Sequence, residues 1–204
     1  LSRRRSSSAS KEPTIDLASE DAIHRLRNIA DALGDPEVVV HAAGLQPANH
    51  QVSDFVRSNV LSTANLLDAL DGFPPSQIIY TSTLKIYGCP EGNPVNESHP
   101  ARAVSTYEIT KLWSEQLLEM FQGRSQVTVL RLPSLYGAGQ RDSFVDALGR
   151  SAIQNEPIEL YANGKVVRDT LHVDDALKAI LQCISSPPAG QFCRFNLGCG
   201  QPIT

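Results

Sequence analysis

Short apolar runs alternate with longer amphipathic stretches along most of the chain. The runs Val38–His41, Ile78–Thr81 and Val127–Leu130 are rich in β-branched residues and almost continuously apolar, which is typical of strands buried on both faces. Between them, apolar residues recur every three or four positions, as in helices with one buried face. The alternation predicts an α/β fold in which helices cover a parallel sheet.

The helical stretches carry start and stop signals. One follows Ser19 and ends at Gly34, and another follows Ser53 and ends at Gly72; serine is a favoured N-cap and glycine a common terminator. A further helix is predicted from about Val104 to Gln122. The last third of the chain is less regular, and there the pattern favours a helix at 142–154, a short strand at 158–161, an extended stretch at 166–173 and a helix from 174 to about 185.

Composition narrows the function classes. The 204 residues are 41% hydrophobic and 20% charged, as in an ordinary globular protein. A net charge of −4 offers no positive field for nucleic acid, and no apolar run reaches the roughly 20 residues of a membrane span, so neither partner is expected. The four cysteines show no zinc-binding spacing, so we expect no metal site, reduced thiols and a cytoplasmic location.

Two groups of polar residues that are close in the sequence could take part in catalysis. The segment YEITK at 107–111 places the Tyr107 phenol and the Lys111 ammonium one turn apart on one helix face, where the cation could ease ionisation of the phenol. Such a pair alone is common on helix surfaces. Upstream, a predicted strand runs into the hydroxyls of Thr81-Ser82-Thr83, and the preceding strand ends in the small turn Ala42-Ala43-Gly44. In open parallel sheets, ligands bind at such strand ends.

In this order the motifs resemble the extended short-chain dehydrogenase/reductase family, the NAD-dependent epimerases and dehydratases that act on nucleotide sugars. The resemblance runs from Asp16 to the end of the chain. The matching stretches are Asp16-Leu17, VVVHAAGLQ (38–46), NVLSTANLLDAL (59–70), IIYTSTLKIYG (78–88), YEITK (107–111), VLRLPSLYGAGQ (129–140), RDTLHVDDA (168–176) and FNLGCG (195–200).

The resemblance implies a Rossmann-like, doubly wound parallel sheet that lacks its first strands, with part of a small C-terminal substrate domain. Residues 14–135 would form the partial NAD(P)-binding domain and residues 136–204 the partial substrate-binding region, of which about 166–185 returns to the first domain. The basic, serine-rich residues 1–13 are expected to be a flexible loop or tail. No glycine-rich dinucleotide loop precedes Asp16, so the first strand, its helix and the second strand are expected to be missing.

The resemblance assigns the catalytic roles to three residues. Tyr107 would be the acid/base that moves the proton of the sugar hydroxyl. Lys111 would hold the nicotinamide ribose and lower the pKa of Tyr107. Thr83 would hydrogen-bond the reacting hydroxyl or carbonyl of the sugar.

Further residues are implied to bind the cofactor and the substrate. Asp16 and Leu17 would flank the adenine, and Asn59 would brace the sheet near the cofactor. The other implied cofactor residues are Ala42, Ala43 and Gly44 beside the dinucleotide, Gln46 near the nicotinamide ribose, Thr81, Ser82, Tyr107 and Lys111. Thr83, Ser134 and Arg168 would bind the substrate, the latter two at its diphosphate; Arg168 could instead form a surface salt bridge.

The resemblance also narrows the reaction. Dehydratases of the family carry an Asp-Glu pair after the catalytic hydroxyl, whereas this chain has Leu84 and Lys85 there. We therefore favour a nucleotide-sugar 4-epimerase that uses NAD, with NADP left open. The alternatives are a keto-sugar reductase of the same family and a non-catalytic or truncated dinucleotide-binding relative. A homodimer through the helices around 54–71 and 104–122 is expected.

Overall fold

The computed structural model describes residues 14–47, 49–88, 95–139, 144–158 and 169–200. Its main sheet has four parallel strands in the order β1-β2-β3-β6. These strands are β1 (Val38–His41), β2 (Gln77–Thr83), β3 (Gln126–Leu132) and β6 (Phe192–Asn196). A second, two-stranded parallel sheet joins β4 (Ser134–Tyr136) to β5 (Thr170–His172).

Six α-helices lie in the described part of the chain. They are α1 (Ala22–Leu33), α2 (Val52–Phe55), α3 (Ser62–Leu70), α4 (Thr106–Met120), α5 (Phe144–Gln154) and α6 (Val173–Ser185). A π-helical turn, Val56–Leu61, joins α2 directly to α3, and a 3₁₀ helix, Leu84–Tyr87, follows β2.

The central strand β2 is buried on both faces because its side chains alternate between two apolar layers. Ile78 and Tyr80 pack in a core cluster with Leu66 of α3 and Leu118 of α4. Ile79 packs in a second cluster, which also holds Ala176 of α6. Helices therefore cover both faces of the parallel sheet, as the apolar pattern predicts for a doubly wound α/β fold.

Most predicted elements are present with small shifts at their ends. The predicted strands become β1, β2 and β3, and the predicted helices that lie in described residues become α1, α2 with α3, α4, α5 and α6. The stretch predicted to be one α-helix after Ser53 contains the π-helical turn, which its apolar spacing does not indicate. Strands β4 and β6 were not predicted.

The main sheet includes residues beyond 185, where the segment expected to return to the first domain was predicted to end. Strand β6 pairs with β3 from Val127↔Phe192 to Arg131↔Asn196. The tail at 1–13 and nearly all of the predicted strand at 158–161 lie outside the described residues. Within the described residues, none of the helices has the length and apolar character needed to cross a bilayer.

Candidate active site

Helix α4 begins with a capping box that fixes the position of Tyr107. The Ser105 hydroxyl accepts a hydrogen bond from the Glu108 backbone N–H, and the Glu108 carboxylate accepts one from the Ser105 N–H at 3.1 Å. Tyr107 is half-buried in the first turn, and the ring of Phe55 meets its ring edge-on at a centroid distance of 6.3 Å. Burial raises the pKa of Tyr107, while its hydrogen bond with Thr83 acts in the opposite direction. The structure thus brings Tyr107 and Thr83 together.

Lys111 is 6% exposed and lies one turn further along α4. Its Nζ donates a hydrogen bond to the Thr81 carbonyl oxygen at 2.6 Å and lies 4.1 Å from the centroid of the Tyr80 ring. Burial lowers the pKa of Lys111 to about 7, and the negative charge of Glu115 opposes this change.

The expectation that Lys111 lowers the pKa of Tyr107 is not met in this structure. The pKa of Tyr107 is raised, because desolvation of the phenolate is the largest influence on it. The ammonium of Lys111 is instead directed at the Thr81 carbonyl and the Tyr80 ring.

The hydroxyls of Ser82 and Thr83 at the end of β2 have different hydrogen-bond partners. The Thr83 hydroxyl accepts a hydrogen bond from the Lys85 backbone N–H at 3.2 Å, at the start of the 3₁₀ helix, and lies at Tyr107. Ser82 was predicted to bind the cofactor, but its buried hydroxyl donates to Glu115 Oε1 at 2.5 Å. Its only proton is therefore used within the protein.

Asn59 joins the small turn after β1 to helix α4. It is 2% exposed, lies in the π-helical turn and accepts a hydrogen bond from the Leu45 N–H at 2.8 Å. Its side-chain amide donates to the Thr110 hydroxyl at 2.9 Å. A Cβ added to Gly44 would lie 2.9 Å from Asn59 Oδ1 and 3.8 Å from Lys111 Nζ. The missing side chain of Gly44 thus lets the turn pass close to both residues.

His41, at the end of β1, supports the same region and was not predicted as a functional residue. Its Nε2 lies 2.9 Å from the Thr63 hydroxyl, which donates its proton to the Asn59 carbonyl at 2.7 Å. Nε2 must therefore carry the imidazole proton in this bond. Burial, with a smaller effect of the Lys111 charge, lowers the pKa of His41 to about 3.

A cleft of about 960 Å³ brings together the predicted adenine and dinucleotide residues. Its lining includes Asp16, Leu17, Ala42, Ala43 and Gly44. The Asp16 carboxylate accepts a hydrogen bond from the Ala18 N–H at 3.1 Å, which shapes one wall. The exposed small-residue turn lines one part of the cleft, and mainly apolar side chains of α1, β1 and α3 line much of the rest. Gln46 is exposed two residues beyond Gly44.

The predicted substrate residues are only partly described. Ser134 is exposed at the start of β4, opposite Thr170 of β5. Arg168 lies outside the described residues, so its binding to the diphosphate, or to a surface carboxylate instead, stays a prediction. In the part of the chain that the structure covers, no group of three His, Cys, Asp or Glu side chains is arranged to hold a metal ion.

Sequence reasoning missed a buried ion pair below the site. Arg131 of β3 donates from Nη2 to Glu115 Oε2 at 2.7 Å, and the two side chains are 5% and 1% exposed. Two signals point to it. Glu115 continues the four-residue spacing of Tyr107 and Lys111, and Arg131 interrupts an otherwise apolar strand end.

Comparison with known sequences decides the family. The sequence profile of the NAD dependent epimerase/dehydratase family matches residues 1–198. The chain belongs to this family. The resemblance drawn from the sequence motifs is therefore confirmed.

Individual relatives are similar over most of this epimerase/dehydratase chain. UDP-glucose 4-epimerase of Bacillus subtilis (strain 168) is 27% identical over 192 residues, which are 80% of this chain and 56% of the relative. dTDP-glucose 4,6-dehydratase of Streptomyces griseus is 30% identical over 173 residues, covering 81% of this chain and 52% of the relative.

Among solved structures, MoeE5 in complex with UDP-glucuronic acid and NAD is 32% identical, with a TM-score of 0.78. The match covers 92% of this chain and 62% of MoeE5. The expected Rossmann-like α/β fold is thereby confirmed, and this family member spans a little more than half the length of the relatives it matches.

Proposed function

We propose that this chain carries the catalytic part of a nucleotide-sugar 4-epimerase that uses NAD. The observation that carries the proposal is the meeting of Tyr107, Thr83 and Lys111 at the carboxyl end of β2 in a member of this family. MoeE5 is complexed with NAD and a UDP-sugar, and UDP-glucose 4-epimerase is a relative, which supports the same classes of cofactor and substrate here.

The residues around the cleft fit a dinucleotide. Asp16 and Leu17 at one wall and the exposed turn Ala42–Gly44 at another would hold NAD, with Gln46 beyond the turn. Asn59 fixes that turn through Leu45, and Lys111 lies where the turn and β2 meet. Bound NAD supplies a hydride acceptor in the first half of the reaction and a hydride donor in the second.

Tyr107 would move the proton that accompanies each hydride transfer. With its raised pKa the phenol is neutral near pH 7, so it is able to protonate the oxygen of a keto sugar. To take a proton from a sugar hydroxyl it must ionise, which a cation favours. Lys111, one turn away, is the nearby source of such a charge, and Thr83 would hydrogen-bond the same sugar oxygen.

The choice between reactions rests on the residues after Thr83. Leu84 and Lys85 form the first turn of the 3₁₀ helix and offer no carboxyl group for the elimination of water. This favours epimerisation over dehydration, although one relative is a dehydratase. A keto-sugar reductase would use the same Tyr107 and Thr83 and is the second candidate. A non-catalytic relative is disfavoured because both Tyr107 and Lys111 are present.

A homodimer in the cytoplasm is part of the proposal. Trp113 and Met120 of α4 are 49% and 83% exposed, and Leu61 in the neighbouring π-helical turn is 39% exposed. Apolar side chains of this size on adjacent helices are suited to pack against a second copy of the chain.

The activity can be tested by incubating the protein, at the full length that its gene encodes, with NAD and UDP-glucose or UDP-glucuronic acid. Inversion at C4, followed by proton NMR of the sugar, is the expected result. An epimerase needs only catalytic NAD. In a separate incubation with NADH and a nucleotide 4-keto sugar, a reductase would consume NADH in proportion to the keto sugar. Absence of inversion together with such consumption would favour the reductase.

A further inference from the structure

A buried carboxylate lies one turn beyond Lys111 on helix α4. Glu115 is 1% exposed, and Arg131 binds both of its oxygens: Nε lies 3.2 Å from Oε1 and 3.3 Å from Oε2, and Nη2 lies 2.7 Å from Oε2. Such a pair adds little net stability compared with apolar side chains of the same volume. The role of this ion pair is therefore to hold neighbouring residues in place.

Glu115 holds the middle residue of the strand end that forms the site. The Ser82 hydroxyl donates to Glu115 Oε1 at 2.5 Å. The residue before it, Thr81, offers its carbonyl to Lys111, and the residue after it, Thr83, meets Tyr107. Through Ser82, one carboxylate on α4 fixes the strand end against the helix that carries both reactive side chains.

Arg131 extends the same network to the other side of the strand end. Its Nη1 donates to the Tyr87 hydroxyl at 2.5 Å, and Tyr87 donates to Asn196 Oδ1 of β6 at 2.8 Å. Tyr87 ends the 3₁₀ helix that begins after Thr83. The strand end and the 3₁₀ helix after it are thus tied to α4, β3 and β6 by side-chain hydrogen bonds.

The protonated form of Lys111 depends on the negative charge of Glu115, which opposes the effect of burial. The ionisable side chains that face Lys111 or Glu115 are His41 of β1, Tyr80 of β2, Arg131 of β3, Arg194 of β6, and Tyr107 and Glu119 of α4. Arg194 binds Glu119 at 2.5 Å and lies 3.7 Å from Glu115. Without Glu115, Arg131 would lose its buried carboxylate partner, and Lys111 would lose the negative charge that favours its protonated form.

We propose that Glu115 is the positioning residue of this site: it fixes the Thr81–Thr83 strand end through Ser82, and its buried negative charge favours the protonated form of Lys111. The role in catalysis rests on the proposed function of Tyr107 and Lys111. The electrostatic role can be measured without cofactor or sugar.

The test is an NMR titration of the Lys111 side chain in the ¹³C-lysine-labelled chain, with the resonance assigned by its loss in Lys111→Met. In the unaltered chain we expect a midpoint near pH 7. Glu115→Gln should lower the midpoint by about one unit or more, since it removes the counter-charge. Arg131→Gln should raise it, because Glu115 is then free to interact with Lys111. A merely structural role would not move the midpoint in opposite directions.

Two further variants serve as controls. Asp68→Asn removes an exposed acid of α3, outside this network, and should leave the Lys111 midpoint unchanged. Glu115→Asp keeps the negative charge, so its Lys111 midpoint should lie closer to that of the unaltered chain than to that of Glu115→Gln. If Glu115→Gln does not fold, comparing Arg131→Gln with the Glu115→Gln/Arg131→Gln double variant isolates the same charge without an unpaired arginine.

Equal midpoints in the unaltered chain and Glu115→Gln, or shifts of the same sign in Glu115→Gln and Arg131→Gln, would overturn the proposal. Where Glu115→Gln is unfolded, equal midpoints in Arg131→Gln and the double variant would do the same. The expected shifts with no 4-epimerase activity would overturn the proposed function and leave the positioning role intact.

Discussion

Burial controls the protonation of the ionisable side chains at the centre of the site. It raises the pKa of Tyr107 and lowers the pKa of Lys111 to about 7, so each group is held towards its neutral form. Thr83 at Tyr107 and the negative charge of Glu115 at Lys111 only partly offset this effect. At the residue scale, the site is therefore an interior one whose proton affinities should be visible in the pH dependence of stability.

Lys111 should make folding stability increase with pH. The folded protein releases its proton near pH 7, whereas a lysine in the unfolded chain keeps it to about 10.4, so the unfolded state binds more protons between these values. The free energy of unfolding should rise across this window by up to about 1.4 kcal/mol per pH unit. Urea unfolding from pH 7 to 9.5 should show this rise in the native chain and not in Lys111→Met.

The matched control for this prediction is Lys85→Met, because Lys85 is exposed. It should keep the slope of the native chain. Parallel slopes in the native chain and Lys111→Met would show that Lys111 is not a buried base.

His41 should act with the same sign as Lys111 but at lower pH, making the fold sensitive to acid. Its pKa is lowered to about 3, whereas the unfolded chain takes up this proton below about 6.5, so stability is lost as the pH falls through this range. Between pH 6.5 and 5, His41→Asn should lose less stability than the native chain. Chemical denaturation at each pH measures this. His24→Asn, at an exposed position, should behave as the native chain, and equal pH dependence in His41→Asn would contradict the prediction.

The helices and strands differ in how far local sequence determines them. The capping box Ser105–Glu108 and the apolar run of β2 define α4 and the strand end, so Tyr107, Lys111 and Thr83 could be predicted from sequence. The π-helical turn could not, because its extra residue leaves the apolar stripe almost unchanged. Local patterns mark Glu115 and Arg131 one by one, but their pairing could not be predicted, because it joins residues of different elements.

The turn after β1 offers a test at the scale of elements. In Gly44→Ala the new Cβ would lie 2.9 Å from Asn59 Oδ1, so either the turn or Asn59 must move. We expect a loss of roughly 1 to 3 kcal/mol in the free energy of unfolding and at least about tenfold weaker NAD binding. Calorimetric titration with NAD and urea unfolding measure the two effects. Gly72→Ala, where an added Cβ meets nothing within 4 Å, is the control, and unchanged NAD affinity in Gly44→Ala would contradict the prediction.

At the scale of the whole molecule, the site lies where strand ends of the main sheet meet α4. Within the described residues, the sheet order β1-β2-β3-β6 places the predicted cofactor turn on the outermost strand and the acid/base residues beside the next strand. The same helix α4 carries Tyr107 and Lys111 towards the sheet and Trp113 towards its outer surface. The proposed dimer surface and the site are thus opposite sides of one element.

The exposed face of α4 allows a direct test of the homodimer. Trp113→Lys places a charge on a half-exposed aromatic position and should convert a dimer into monomers without altering the circular dichroism spectrum. Light scattering coupled to size-exclusion chromatography measures the mass. Leu181→Lys, at an exposed position of α6 on the other face of the sheet, serves as a surface-charge control. A dimer that survives Trp113→Lys would place the interface elsewhere.

The central claim is that Tyr107 is the acid/base of a nucleotide-sugar 4-epimerase. Its most direct test is the rate of C4 inversion in Tyr107→Phe compared with the unaltered protein, at the full length that its gene encodes and with saturating NAD. Removing the phenolic hydroxyl should reduce turnover by about 10² to 10⁴-fold, because the sugar oxygen then has no proton partner. Tyr136→Phe, whose ring packs against His172 away from Tyr107, should retain native turnover. Near-native turnover in Tyr107→Phe would contradict the account.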